Sequence, residues 1–150
     1  MNVGETTCKG ILNSSGIEGV DYAINPYIGC THGCTYCYAK FMTRWYHKGE
    51  IWGSFVDAKM NATECLLKEV NKKRKGVILF SSVTDAYQPI EKKYEITREL
   101  LKILVEQDFP IEILNKSSLV SRDIDLIGEV IQAEVGLTVN SYDEKLRKAF

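Results

Sequence analysis

Three thiols fall within eight positions of this chain: Cys30, Cys34 and Cys37, in the stretch NPYIGCTHGCTYCYAK over residues 25–40. Their spacing is C-x3-C-x2-C, with Gly29 ahead of the first cysteine and Gly33 ahead of the second. Thiolates are natural ligands for zinc and for iron–sulfur clusters. The glycines can take positive φ and bring backbone close to a bulky inorganic object with no Cβ in the way. Three sulfurs are one short of the usual four-ligand site. A cubane cluster held by three of its irons would keep the fourth iron free for a cofactor or substrate. Two other readings stay open: His32 or His47 could complete a Cys3His zinc site, or the cysteines could be ordinary small buried residues.

The chain that must position these thiols has 150 residues and a formal net charge of −1. That length suits one domain with a real core. The near-neutral charge argues against a strong electrostatic footprint for nucleic acid, although a local patch remains compatible with it. No apolar run is long enough to span a membrane, and MNVGETTCKG lacks the basic-then-apolar pattern of a secretory signal. Five cysteines, three clustered and two alone (Cys8 and Cys65), are poor disulfide arithmetic. Together these features predict a cytoplasmic, reducing setting.

Stepwise along the chain, residues 20–28 read as a short strand running into a loop at Pro26 and Gly29. Residues 36–47 predict an aromatic-rich helix, and residues 58–74 a second helix with Leu66, Leu67 and Val70 on one side. GVILFSSVT then reads as a buried strand, and residues 90–107 as an amphipathic helix. PIEILNK is the next strand, residues 121–133 the next helix, and EVGLTVN a further strand. Asp143 to Phe150 reads as the start of a fourth helix. Such alternation predicts an α/β fold with a parallel sheet of about four βα units. The cysteines follow the first strand. Thr84 with Asp85, the segment from Asn115 to Ser118, and Asn140 with Ser141 follow the others, so all four groups should gather at one rim.

The three-cysteine motif, with Tyr36 just before its last thiol, resembles the signature of the radical S-adenosylmethionine (SAM) superfamily. NPYIGCTHGCTYCYAKFM, FSSVTDAYQPIEKKYEITRELL, EILNKSSLVSRDIDLI and VGLTVNSYDEKL together resemble its spore photoproduct lyase-like branch, often labelled DNA repair photolyase. The resemblance runs from about Lys9 onward. It implies a partial (β/α) barrel in which Cys30, Cys34 and Cys37 ligate a [4Fe–4S] cluster whose free iron binds S-adenosyl-L-methionine. It places Tyr36 against the adenine with Tyr38 nearby, and Thr84 and Asp85 at the methionyl ammonium. Lys116 would pair with the cofactor carboxylate, and Thr138 and Asn140 would contact its ribose or methionyl part. The family usually shows Thr before that lysine, where this chain has Asn115. The implied activity is reductive cleavage of SAM to a 5′-deoxyadenosyl radical that abstracts hydrogen, in a lyase-like DNA-repair reaction. The implied partners are an electron donor such as a flavodoxin or ferredoxin, and nucleic acid.

Plainer roles are expected elsewhere. Cys8 and Cys65 read as spectators, and the NKKRK run at residues 71–75 as a solvated helix end. Asp123 and Asp125 read as helix caps, and Trp45 and Trp52 as packing residues. Full barrels of this kind need about 200 residues or more. The expectation is therefore an N-terminal extension over residues 1–19, followed by the N-terminal half of a barrel over residues 20–150. Two alternatives go with that expectation: a cofactor-binding fragment inactive alone, or a zinc-bound structural protein. An open edge at the last strand would favour self-association.

Overall fold

The computed structural model describes residues 1–143 and Lys145; apart from Asp143 and Lys145, the helix expected from Asp143 to Phe150 lies outside the described residues. Two sheets share the chain. The main sheet has five strands in the order β2 (Asn13–Ser14), β3 (Tyr22–Ile24), β6 (Ile78–Phe80), β7 (Ile111–Asn115) and β8 (Ala133–Leu137). From β3 to β8 every pairing is parallel, and β2 is antiparallel to β3. The second sheet sets β5 (Phe55–Lys59) between β1 (Asn2–Thr6) and β4 (Tyr27–Ile28).

The parallel strands were legible as short apolar runs. Ile78, Phe80, Ile111 and Ile113 face the core at 0–1% exposure, packing with Leu66 of α1 (Ala62–Val70) and Leu100, Leu101 and Leu104 of α3 (Ile96–Glu106). Register fixes the functional end. Phe80 pairs with Ile24 on one side and Ile113 on the other, and Asn115 pairs with Leu137. The chain therefore leaves β3, β6, β7 and β8 on the same side of the sheet, as the alternation predicted.

Several elements differ from expectation. The strand read over residues 20–28 is two strands in two sheets. Pro26 breaks the first, and its carbonyl accepts the Lys59 N–H at 3.1 Å. The helix read over 36–47 is a 3₁₀ segment, Tyr38–Arg44, with no side-chain cap. The helix read over 58–74 begins only at Ala62, because residues 55–59 form the middle strand of the smaller sheet. The helix read over 90–107 breaks at Glu95, which takes φ 50°, between α2 (Glu91–Tyr94) and α3. Glu91 explains the break: its carboxylate accepts the Thr97 and Arg98 N–H groups of the α3 first turn, at 3.1 and 3.3 Å. Those donors would otherwise be orphans.

The helix read over 121–133 is a 3₁₀ segment, Ser118–Asp123, and one turn of α4 (Ile124–Ile127). Asp123 does not cap that turn. It is fully buried and pairs with Arg98 Nη1 and Arg122 Nε, both at 2.7 Å. Trp52 packs at 8% exposure, whereas Trp45 is 64% exposed, with the Phe41 ring at a steep angle to it, centroids 5.7 Å apart. Residues 71–75 form a largely exposed turn, with Lys75 paired to Asp108. Residues 1–19 contribute β1 and β2, one to each sheet. Among the described residues no helix is long and apolar enough to cross a membrane.

Candidate metal centre and cofactor pocket

β4 ends at Ile28 and delivers the chain to Gly29, whose φ of 84° places its backbone hard against Phe55. A Cβ there would stand 2.6 Å from the Phe55 carbonyl oxygen. Gly33, at φ 59°, lies over Gly53 in the same way. These contacts press the cysteine loop onto the smaller sheet, where Cys30, Ala39, Trp52 and Phe55 form a separate apolar cluster. Cys30 and Cys34 are buried and Cys37 half-buried. All three line one cavity of about 410 Å³, together with Tyr36, Tyr38, Thr84, Asp85, Lys116 and Thr138. Of the rim expected at the strand ends, Thr84, Asp85, Asn115 and Lys116 line the cavity with the cysteines, whereas Ser117, Ser118, Asn140 and Ser141 do not.

Each polar residue of the rim already has work. Thr84 Oγ1 donates to the Gly29 carbonyl at 2.6 Å, tying the end of β6 to the cysteine loop. Asp85 is 5% exposed, and its oxygens accept the backbone N–H groups of Tyr87 and Lys116 at 2.8 and 2.9 Å. It therefore joins the loops after β6 and β7, with further lone pairs left on each oxygen. Lys116 Nζ donates to the Tyr36 hydroxyl at 2.5 Å and to Asn140 Oδ1 at 3.0 Å, and the Tyr36 hydroxyl donates to Asn140 Oδ1 at 2.6 Å. These three side chains link the cysteine loop to the ends of β7 and β8. Asn115, in the place of the family's threonine, accepts from Ser117 N–H and donates to the Gly136 carbonyl. Thr138 and Asn140 fall just beyond β8, and Thr138 N–H donates to the Asn115 carbonyl at 2.9 Å.

Three thiols are donors for zinc or for an iron–sulfur cluster. A tetrahedral zinc needs its donors about 2.0–2.3 Å from a single point. Among the described residues no three His, Cys, Asp or Glu side chains gather for a metal ion, although all three thiols line the one cavity. His47 is committed elsewhere, its ring stacked on Phe55 at 4.2 Å with Nδ1 on Glu50 and Nε2 on Asp57. The side-chain nitrogen of Trp52, the hydroxyl of Ser81 and Nε2 of His32 are buried at the same cavity without a hydrogen-bond partner. His32 Nε2 lies 3.3 Å from Asp85 Oδ2, outside hydrogen-bond alignment. Burial pushes the Cys30 thiol up to about 12, and the charges of Asp85, Cys34 and Cys37 add to the rise against an opposing backbone N–H at His32. Ligation there must displace a proton.

Residues 24–150 match the Radical SAM superfamily. The chain belongs to the radical SAM superfamily. An uncharacterised protein of Methanocaldococcus jannaschii is 47% identical over 137 residues, covering 91% of this chain and 51% of that protein. An uncharacterised protein of Mycobacterium bovis is 30% identical over 135 residues, 85% of this chain and 40% of its own length. A Pseudomonas phage M6 protein named a radical SAM Nalpha-GlyT isomerase is 34% identical over 104 residues, 68% of this chain and 21% of that protein. The chain thus spans about half or less of the length of these relatives. No solved structure matches it significantly. Radical SAM proteins generally bind a [4Fe–4S] cluster and SAM, and membership supports an enzyme.

Sequence reasoning missed the residue that holds the radical SAM loop in shape. Gln88 is fully buried. Its Nε2 donates to Thr84 Oγ1 at 2.9 Å and to the Gly29 carbonyl at 3.3 Å, and its Oε1 accepts the Thr31 N–H. Asn25 was missed as well; it accepts the Val83 N–H and donates to Ser82 Oγ, fixing the loop after β6. A glutamine before Pro89 and an asparagine before Pro26 carry no signal in composition or spacing.

Proposed function

We propose that this chain is the cluster- and cofactor-binding half of a radical SAM enzyme with a partial (β/α) barrel, using Cys30, Cys34 and Cys37 as the ligands of a [4Fe–4S] cluster. The observation that carries the reading is the shared cavity, in which three thiols from one loop face Thr84, Asp85, Lys116 and Thr138 from the ends of three strands. When bound and reduced, such a cluster supplies the electron that cleaves SAM to a 5′-deoxyadenosyl radical for hydrogen abstraction.

Around it the chain's own residues bind and orient. Lys116 lines the cavity and offers its ammonium to the cofactor carboxylate in place of Tyr36 and Asn140. The remaining lone pairs of Asp85 suit a cationic amine. Tyr36 and Tyr38 offer aromatic faces for the adenine, and Thr138 and Asn140 offer polar groups for the ribose or methionyl part. Trp52, Phe55 and Ala39 keep water from the back of the loop. An electron donor such as a flavodoxin or ferredoxin completes the system.

For the substrate, a lesion-bearing nucleic acid follows only by analogy with the spore photoproduct lyase-like branch that the four segments resemble. The phage relative's name makes isomerisation the alternative outcome to a lyase reaction. β8 is the outermost strand of the main sheet among the described residues, with Val135 and Leu137 at 40% and 57% exposure, and self-association through it is part of this reading. The function is tested by incubating the reduced, anaerobically reconstituted protein with SAM. Formation of 5′-deoxyadenosine, lost in Cys37→Ala and reduced in Lys116→Ala, supports it; no product from a protein that carries its cluster counts against it.

A further inference from the structure

Cys8 and Cys65 lie 57 residues apart in sequence, yet their Sγ atoms are 3.8 Å apart. Neither lines the cofactor cavity. Asn61, at the start of α1, holds the pair in place. Its Nδ2 donates to the Cys8 carbonyl at 2.9 Å, its Oδ1 accepts the Cys8 N–H at 2.8 Å, and Nδ2 also reaches Cys65 Sγ at 3.5 Å. Cys8 is half-buried and Cys65 buried. A reagent from solution therefore meets Cys8 first, with Cys65 already beside it. This is the arrangement of an attacking thiol and a resolving thiol, reached through the fold rather than through any sequence motif.

We propose that Cys8 and Cys65 are a redox-active pair that closes to a reversible disulfide by exchange with a small-molecule disulfide such as oxidised glutathione. Cys8 loses its proton and attacks one sulfur of the small disulfide, whose S–S bond breaks to release one thiol. Cys65 then attacks Sγ of Cys8 in the mixed disulfide and releases the second. Two protein thiols are oxidised, one small disulfide is reduced to two thiols, and both protons end on those products.

The bond ties the segment after β1 to α1. It thereby fastens one flank of the smaller sheet, whose strand β4 leads into Gly29 and Cys30. Burial pushes the Cys8 thiol up to about 11, with Cys65 beside it adding to the rise. Exchange is accordingly slow near neutral pH and quickens as pH rises, which suits a staple formed under sustained oxidation rather than a fast sensor.

The cleanest test removes the other thiols. In the Cys30→Ser/Cys34→Ser/Cys37→Ser variant only Cys8 and Cys65 remain of the five cysteines, so the outcome is independent of whether a cluster is bound. The folded variant is treated with oxidised glutathione and weighed intact, then mapped as unreduced peptides. The expected result is loss of the mass of two hydrogens, one cross-linked peptide joining Cys8 to Cys65, and a higher thermal midpoint that dithiothreitol reverses. A glutathione adduct that persists on Cys8, or two thiols still free after prolonged treatment at raised pH, overturns the proposal. The wild-type chain supplies the second reading: the same cross-linked peptide must appear there, and must be absent from Cys65→Ser.

Discussion

The side-chain carbonyl of Gln88 accepts the backbone N–H of Thr31 at 2.9 Å, across 57 residues of chain. The same side chain donates to Thr84 and to the Gly29 carbonyl, so one buried amide braces both sides of the first cysteine. Gln88→Ala leaves these buried groups short of partners, at about 1–3 kcal/mol for an unmet group. The damage should centre on the cysteine loop. Iron should pass to a chelator several-fold faster than from the wild type, while the far-ultraviolet circular dichroism stays unchanged. Gln88→Glu, which keeps the acceptor and loses the donor, should fall between the two. Equal iron release from all three proteins would show that the brace does not govern the loop.

Arg122 joins two carboxylates that water does not reach. Its Nη2 lies 2.8 Å from Glu91 Oε1 and its Nε 2.7 Å from Asp123 Oδ1, and both acids are fully buried. Arg122→Met strands that charge, a change that costs about 3–5 kcal/mol when a buried pair is broken. Urea unfolding should show the loss. Glu91→Gln added to Arg122→Met should recover part of it, because one uncompensated charge is gone. A double variant less stable than Arg122→Met would contradict this account.

The ring of His47 takes its pH dependence from Asp57 first and Glu50 second, whose hydrogen bonds raise its pKa against the opposing effect of burial. A folded-state value above that of the unfolded chain means that the charged ring stabilises the fold. That contribution is complete below about pH 6.5 and fades as pH rises through the folded-state value. Wild type should therefore lose stability relative to His47→Gln as pH rises from about 6.5 through the folded-state value. A constant difference between the two proteins over that range would remove the charged ring from the account.

The parallel strands were legible because β6 and β7 are short runs of mostly branched apolar residues, and because the polar residues that follow the strands mark the functional end; β8, AEVGL, carries a weaker pattern. The cysteine loop was legible from spacing alone. The smaller sheet was not. Residues 55–59, FVDAK, look like the approach to a helix, and only pairing with β1 and β4 makes them a strand. The break at Glu95 was hidden for a similar reason: Glu91 caps α3 from outside it, and its buried carboxylate is held by a tertiary partner, Arg122. Cys8 and Cys65 were indistinguishable from spectators until the fold brought them together. Periodicity reports burial along one element, and it says little about side chains that meet across two.

The central claim rests on three sulfurs holding an iron–sulfur cluster, and iron and sulfide analysis after anaerobic reconstitution tests it most directly. The wild type, Cys8→Ala and Cys65→Ala should each take up about four irons and four sulfides per chain with broad brown absorbance. Cys30→Ala, Cys34→Ala and Cys37→Ala should each fail to do so. A colourless wild-type protein holding a single zinc, or iron lost equally from Cys65→Ala, would contradict the assignment.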